Sequence, residues 1–205
     1  MRTIWTIGHS THNIEDFLSL LRKNQIDTIV DVRTTPYSKF APQFNRELLR
    51  HFLKEENIYY IPMGDSLGAR HQDKGVLFEN GQVNFRKVQE TRLFQDGISR
   101  LEKGIEKGYR IALMCSEKEA LDCHRFGLIS SFLSKNGMEI LHIYPDKTIS
   151  QKDLEDRLLE RYRKQLPQPN LFEPNITRAE QLDKAYYLQN RDIGYNAFTN
   201  QGDEV

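Results

Sequence analysis

The strongest constraint on the fold is an alternation between two hydrophobic periods. Five short β-branched or aromatic runs read as strands: residues 3–7 (TIWTI), 26–32 (IDTIVDV), 58–63 (IYYIPM), 109–114 (YRIALM) and 138–144 (MEILHIY). Between them apolar residues recur every three or four positions, as in Ile14, Phe17, Leu18 and Leu21, or Leu48, Leu49, Phe52 and Leu53. Asn13, with Asp16 in the first turn, suits a helix start. Residues 85–107 read as a helix in two pieces broken near Asp96-Gly97. Residues 125–135 read as a helix stopped by Asn136-Gly137.

Strands separated by helical crossovers require a mainly parallel sheet with helices on both faces. The expected class is α/β, a Rossmann-like three-layer sandwich with a helical C-terminal extension. Residues 1–150 form the expected α/β domain. Residues 151–205 form the extension: a charged helix over 152–165, a proline-rich linker (PQPNLFEPN), a last helix over 178–189 and a poorly ordered end from Arg191. The glycine-punctuated stretch 64–81 is long enough for a functional loop.

Lys+Arg and Asp+Glu both count 29, which excludes a basic coat for nucleic acid but leaves room for a local basic patch. No apolar run approaches the ~20 residues that span a bilayer. The first residues, MRTIWTIGHS, lack a signal-peptide pattern. Two cysteines make no disulfide framework, so a cytoplasmic location is expected, with no membrane partner.

Ligands of open parallel sheets bind outside the carboxyl ends of the strands. There the sequence places Gly8-His9-Ser10, Asp31 and Arg33, Cys115 and Glu117, and Cys123-His124-Arg125. Gly8 allows a sharp turn, and amides before the next helix outline an anion site; Ser10 is equally a cap. Asp31 and Arg33, two apart, point the same way. Arg33 suits a bound phosphate or carboxylate, and Asp31 suits catalysis or a semi-buried pair. Cys115, near a helix start and arginines, is a candidate nucleophile or a small core residue. Glu117, His9 and His124 are candidate acid/base groups. Lys39, Asn45 and Arg46, in a loop with Tyr37, Phe40 and Phe44, could clamp a base, while the two phenylalanines pin the loop to the domain. Cys115, Cys123, His124 and His9 could in principle hold zinc, but C-x7-C-H is not a usual zinc spacing, so no metal is expected.

The motifs TIGHST (6–11), DVRTTPYSKFAPQFN (31–45) and CSEKEALDCHR (115–125) occur in this order. Together they make the chain resemble a widespread bacterial family, domain of unknown function number 488, over about residues 3–145. The resemblance implies a cytoplasmic α/β domain and locates a site without naming a reaction. A weaker likeness is to rhodanese-type sulfurtransferases, in which Asp31-Val32-Arg33, Cys115 and Arg125 would correspond. The loop SEKEALDCH is longer than theirs, acidic and glycine-free.

Three functions follow as expectations. The first is a hydrolase or group transferase acting on a nucleotide, nucleoside or modified nucleic-acid base. In it, Gly8, Ser10, Arg33, Lys39, Asn45, Arg46 and Arg125 hold the substrate, and His9, Asp31, Cys115, Glu117 and His124 do the chemistry. The second is a sulfurtransferase or thiol enzyme using Cys115. The third is a non-catalytic nucleic-acid or protein binding module. Neither GxGxxG nor GxxxxGK[ST] is present, so no dinucleotide cofactor and no P-loop chemistry is expected.

Overall fold

The computed structural model describes residues 2–169, 171 and 174–199. Strand β1 (Thr3–Gly8) leads through helix α1 (Ile14–Lys23) to β2 (Thr28–Asp31), and α2 (Arg46–Glu55) connects to β3 (Tyr59–Pro62). Helices α3 (Gly64–Leu67), α4 (Phe85–Glu90) and α5 (Arg92–Glu106) precede β4 (Ile111–Cys115). A π-helical segment, Arg125–Ser130, runs into α6 (Ser131–Lys135). Then come β5 (Glu139–Ile143), β6 (Thr148–Ser150), α7 (Gln151–Tyr162) and α8 (Arg178–Ile193). The strands form one sheet in the order β3-β2-β4-β1-β5-β6. Every pairing is parallel except β5 with β6. The class is α/β with helices flanking the sheet, as the alternation implies.

Successive strand residues leave a sheet on opposite faces, and here both faces are covered. Trp5, Ile7, Ile29, Ala112 and Met114 pack on one side with Phe17 and Leu21 of α1 and Leu49 and Leu53 of α2. Ile4, Val30, Leu113 and Ile140 pack on the other with Val88, Phe94, Ile98 and Leu133 from α4, α5 and α6. Burial on both faces explains why the strands read as nearly continuous apolar runs. Asn13 starts α1 as expected, its side chain accepting from the Asp16 amide at 2.8 Å.

Three details differ from the sequence expectation. The break in the 85–107 helix falls at Thr91, whose hydroxyl caps α5 by accepting from the Phe94 amide. Gly97 stays inside α5, where a Cβ would come within 3.0 Å of Leu67, so the glycine serves close packing against α3 rather than a break. An antiparallel strand, β6, follows β5. Residues 191–199 are built into the structure: Asn196 bridges to Gln82, and the Val83 amide donates to the Tyr195 carbonyl at 2.8 Å. The last residues, 200–205, lie outside the described part. Leu154, Leu158 and Tyr162 of α7 pack with Ala185 and Tyr186 of α8 against Phe126, so the charged helix has a buried stripe. No helix among the described residues is long and apolar enough to cross a membrane.

Strands β4 and β1 are neighbours, yet the chain leaves β1 towards β2 and leaves β4 towards β5, in opposite directions along the sheet. Such a switch opens a crevice above the carboxyl ends of the two strands. Leu113→Ala, in the middle of β4 and fully buried, should lower unfolding free energy by about 2–5 kcal/mol. Leu93→Ala on the exposed side of α5 should change it by less than about 0.5 kcal/mol. Urea denaturation of both variants measures the contrast.

Candidate active site

The loop after β4 closes directly on the end of β1. The His9 amide donates to the Cys115 carbonyl and the Ser10 amide to the Ser116 carbonyl, each at 2.9 Å. A Cβ on Gly8 would lie 1.9 Å from the Glu117 carbonyl oxygen, so only glycine permits this approach. Ser10 sits at φ 48° and Asn13, not Ser10, caps α1. The first amides after Gly8 are thus consumed in holding the two loops together and offer no open anion cradle.

Asp31, Arg33 and His9 form a buried frame. Arg33 grips Asp31 through Nε (2.9 Å) and Nη2 (2.6 Å), gives Nη2 also to the Phe44 carbonyl (2.9 Å), and points Nη1 at His9 Nε2 (3.0 Å). Tyr60 of β3 donates its hydroxyl to Asp31 at 2.7 Å. His9 Nδ1 faces the Ser10 carbonyl at 2.8 Å, so it carries the proton and Nε2 accepts from Arg33. Burial, then the Arg33 charge, lowers the His9 pKa from 6.5 to about 4. Its ring stacks on Phe44 with centroids 4.3 Å apart. Most of the Arg33 fork is therefore spent on internal partners.

The second group gathers four reactive side chains. Both thiols, Cys115 Sγ and Cys123 Sγ, donate to the same Glu117 oxygen, at 2.9 and 3.0 Å. His124 Nδ1 lies 3.6 Å from the first sulfur and 3.9 Å from the second, while its Nε2 faces the Val32 carbonyl at 3.2 Å. Arg125, 2% exposed, closes the loop by donating Nη1 to the Glu117 carbonyl (2.6 Å) and Nη2 to the Lys118 carbonyl (3.0 Å). Its Nε is buried without a partner among the described residues.

These contacts pull the titrations apart. The hydrogen bond with Cys123 and burial push the Cys115 thiol up. Burial also opposes ionisation of Cys123, but Cys115, the Arg125 charge and His124 more than offset it and hold this thiol below the usual range. Burial, then the charge on Cys123, raises Glu117. Burial opposes a charge on His124, but its contact with Cys123 outweighs that and raises it.

The cluster forms the floor of a pocket of about 230 Å³ whose walls include Thr34, Thr35, Arg70, Ser116, Ile193 and Tyr195. Cys115, Glu117, His124 and Arg33 all border it. Arg125 lies just behind, bonded to the loop. His9 and Asp31 stand beneath Arg33 and do not reach the pocket. Gly8 and Ser10 act through the backbone. Lys39, Asn45 and Arg46 line none of it: Asn45 accepts from the Ser38 amide at 2.7 Å to brace its own loop. In that loop Phe44 is fully buried, as expected, but Phe40 is 94% exposed and pins nothing. A larger hollow of about 330 Å³, near Thr28, Tyr59, Arg100 and Tyr109, has no reactive cluster.

Sequence reasoning weighed Cys123 only as a zinc ligand that its spacing disfavoured, and missed Arg70 and Tyr195 altogether. The adjacency Cys123-His124-Arg125 was the available signal for Cys123. Arg70, whose guanidinium lies 5.4 Å over the Tyr195 ring, sits in an irregular loop that carries no pattern.

The family model described as Domain of unknown function DUF488 matches residues 13–132. No curated protein and no solved structure matches the chain.

Two predictions follow from the frame. Asp31→Asn leaves Arg33 buried and unpaired, and should cost about 3–5 kcal/mol in chemical denaturation. The second concerns pH. His142 is buried between Thr6 and Gln151, and burial lowers its pKa from 6.5 to about 3. Unfolded chains bind protons on both histidines below pH 6.5, whereas the folded state resists until about pH 4 for His9 and about 3 for His142. Stability from these groups is thus complete above 6.5 and is lost as pH falls through that window. The urea midpoint should drop from pH 6.5 to 4, and His142→Gln should flatten the slope.

Proposed function

The chain belongs to the DUF488 family, and from that premise we propose that it is a hydrolase or group transferase acting on a nucleotide, nucleoside or modified nucleic-acid base. One observation carries this reading: a carboxyl group of raised pKa, Glu117, borders a polar pocket at the carboxyl ends of the strands. A carboxyl raised in this way holds its proton more readily than a free one, which suits protonation of a leaving group, and its ionised form suits activation of water. The pocket, at about 230 Å³, is below the ~300 Å³ at which sites for drug-sized ligands begin. It suits one base or one phosphate-bearing fragment rather than a dinucleotide. Thr34, Thr35 and Ser116 offer hydroxyls to the edge of a base. Arg70, exposed at the rim, offers a flat cation for a phosphate or a ring face.

A second reading, a thiol enzyme, is favoured by the two thiols gathered against Glu117, with His124 and the Arg125 charge alongside. The nucleophile in it is Cys115, as the sequence suggests, or its neighbour Cys123, which shares the same Glu117 oxygen.

Thermal-shift and turnover measurements over a panel of nucleosides, mononucleotides and modified bases test the first reading. At least one compound should raise the melting temperature and be converted, with Glu117→Gln lowering kcat by about 100- to 10,000-fold. Absence of binding across the panel, or turnover indifferent to both Glu117→Gln and Arg70→Ala, would refute it.

A further inference from the structure

We infer that Cys115, Cys123, His124 and Glu117 form a binding site for one zinc-like divalent metal ion. The inference deepens the reading above, since it concerns the same site, but it does not depend on the substrate proposed there.

The donor set is two thiols, an imidazole and a carboxylate, the mixture a borderline-soft tetrahedral ion takes. Their ligand atoms all lie within 4.8 Å of one another. A tetrahedron with Zn–S near 2.3 Å and Zn–N or Zn–O near 2.0–2.1 Å has ligand–ligand edges of about 3.3–3.8 Å. The observed sulfur–oxygen separations of 2.9 and 3.0 Å and sulfur–nitrogen separations of 3.6 and 3.9 Å bracket those edges. Side-chain shifts of less than about 1 Å would produce the coordination sphere.

The surroundings are also those of a metal site. His124 Nε2 faces the Val32 carbonyl, which can only accept, so Nε2 holds the proton and the Nδ1 lone pair points at the sulfurs. Metal-bound histidines are held in this way, the second nitrogen donating to a carbonyl or carboxylate. The Arg125 amide approaches Cys123 Sγ at 3.4 Å, as amides do around thiolates. Charge closes as well. Two thiolates and a carboxylate sum to −3, a divalent ion leaves −1, and the buried Arg125 guanidinium brings the group to neutrality.

Binding leaves both sulfurs as thiolates and Glu117 as a carboxylate on the ion, releases to solvent whatever protons these three groups still hold, and moves the Glu117 oxygen from the sulfurs to the fourth corner. Cys115, Cys123 and His124 are buried, whereas Glu117 lies on an exposed stretch of the loop that borders the pocket, with its carboxyl turned inward onto the thiols. Glu117 is therefore the exchangeable ligand, and its corner is where water or substrate would enter. The pattern C-x-E-x5-C-H hides the set because only the 3-10 turn Ala120–Asp122, where it meets the π-helical segment, brings Cys123 and His124 back to Cys115.

The full-length chain, stripped with chelator and then dialysed against Zn²⁺ or Co²⁺ alone, decides the matter. About one ion per chain should remain. Co²⁺ should give thiolate-to-metal charge-transfer absorption and intense tetrahedral bands, and Zn²⁺ should shield both cysteines from alkylation. Cys115→Ser and Cys123→Ser should lose the ion, whereas Glu117→Gln should keep it with affinity lowered roughly tenfold or more. Trace metal only, thiols that alkylate equally fast with and without Zn²⁺, or folded serine variants that still bind would overturn the site. Where a serine variant does not fold, alkylation of the wild-type chain is decisive. Metal binding without turnover of any nucleotide, nucleoside or base removes the substrate reading alone. Turnover without metal binding removes this inference alone, and leaves the two thiols free for nucleophilic chemistry.

Discussion

The buried pair of Asp31 and Arg33 sets the geometry on which the rest of the site depends. Both side chains are almost wholly excluded from solvent, at 1% and 4% exposure. Removing two charges from water costs several kcal/mol each unless every remaining donor and acceptor is matched. The match comes from three strands: His9 after β1, Asp31 and Arg33 at the end of β2, and Tyr60 on β3, with the Phe44 carbonyl completing the shell. Such a frame has few alternative arrangements, because displacing any member strands a charge. The loop of β4 then rests against this rigid edge, and His124 is held to it through the Val32 carbonyl.

Much of this edge was legible from sequence, but its division of labour was not. The strand ends placed His9, Asp31, Arg33, Cys115, Glu117 and His124 together because a parallel sheet delivers every strand end to one rim. A sequence does not say how many of an arginine's donors are already occupied. Arg33 reads as a ligand-binding fork, yet its partners sit up to 24 residues away in the chain. Cys123 has an unusual spacing for a partner of Cys115, and only the turn at Ala120–Asp122 brings the two thiols together. The misplaced helix break has a similar origin. Gly97 is a breaker by local propensity, but the contact with α3 rewards the missing side chain, while the cap at Thr91 ends α4.

The segment after residue 150 shows the limits of reading composition alone. Its charge and prolines read as a charged helix, a linker and a poorly ordered end, and leave open whether the helix is solvated or packed. The buried stripe of α7, spaced at Leu154, Leu158 and Tyr162, meets α8 and the aromatic ring of Phe126. Residues 195–197 then bond with residues 81–83, a pairing of short polar segments that leaves no periodic trace. Polar segments of this kind are fixed by tertiary partners rather than by their own pattern.

That pairing carries Ile193 and Tyr195 to the rim above the thiols, where Arg70 covers the tyrosine ring. The reactive inventory, at residues 115–124, and one wall of its enclosure, at 193 and 195, therefore come from separate stretches of the polypeptide. A chain shortened before Ile193 would retain every sulfur, carboxylate and imidazole and yet lack one side of the vessel that confines them.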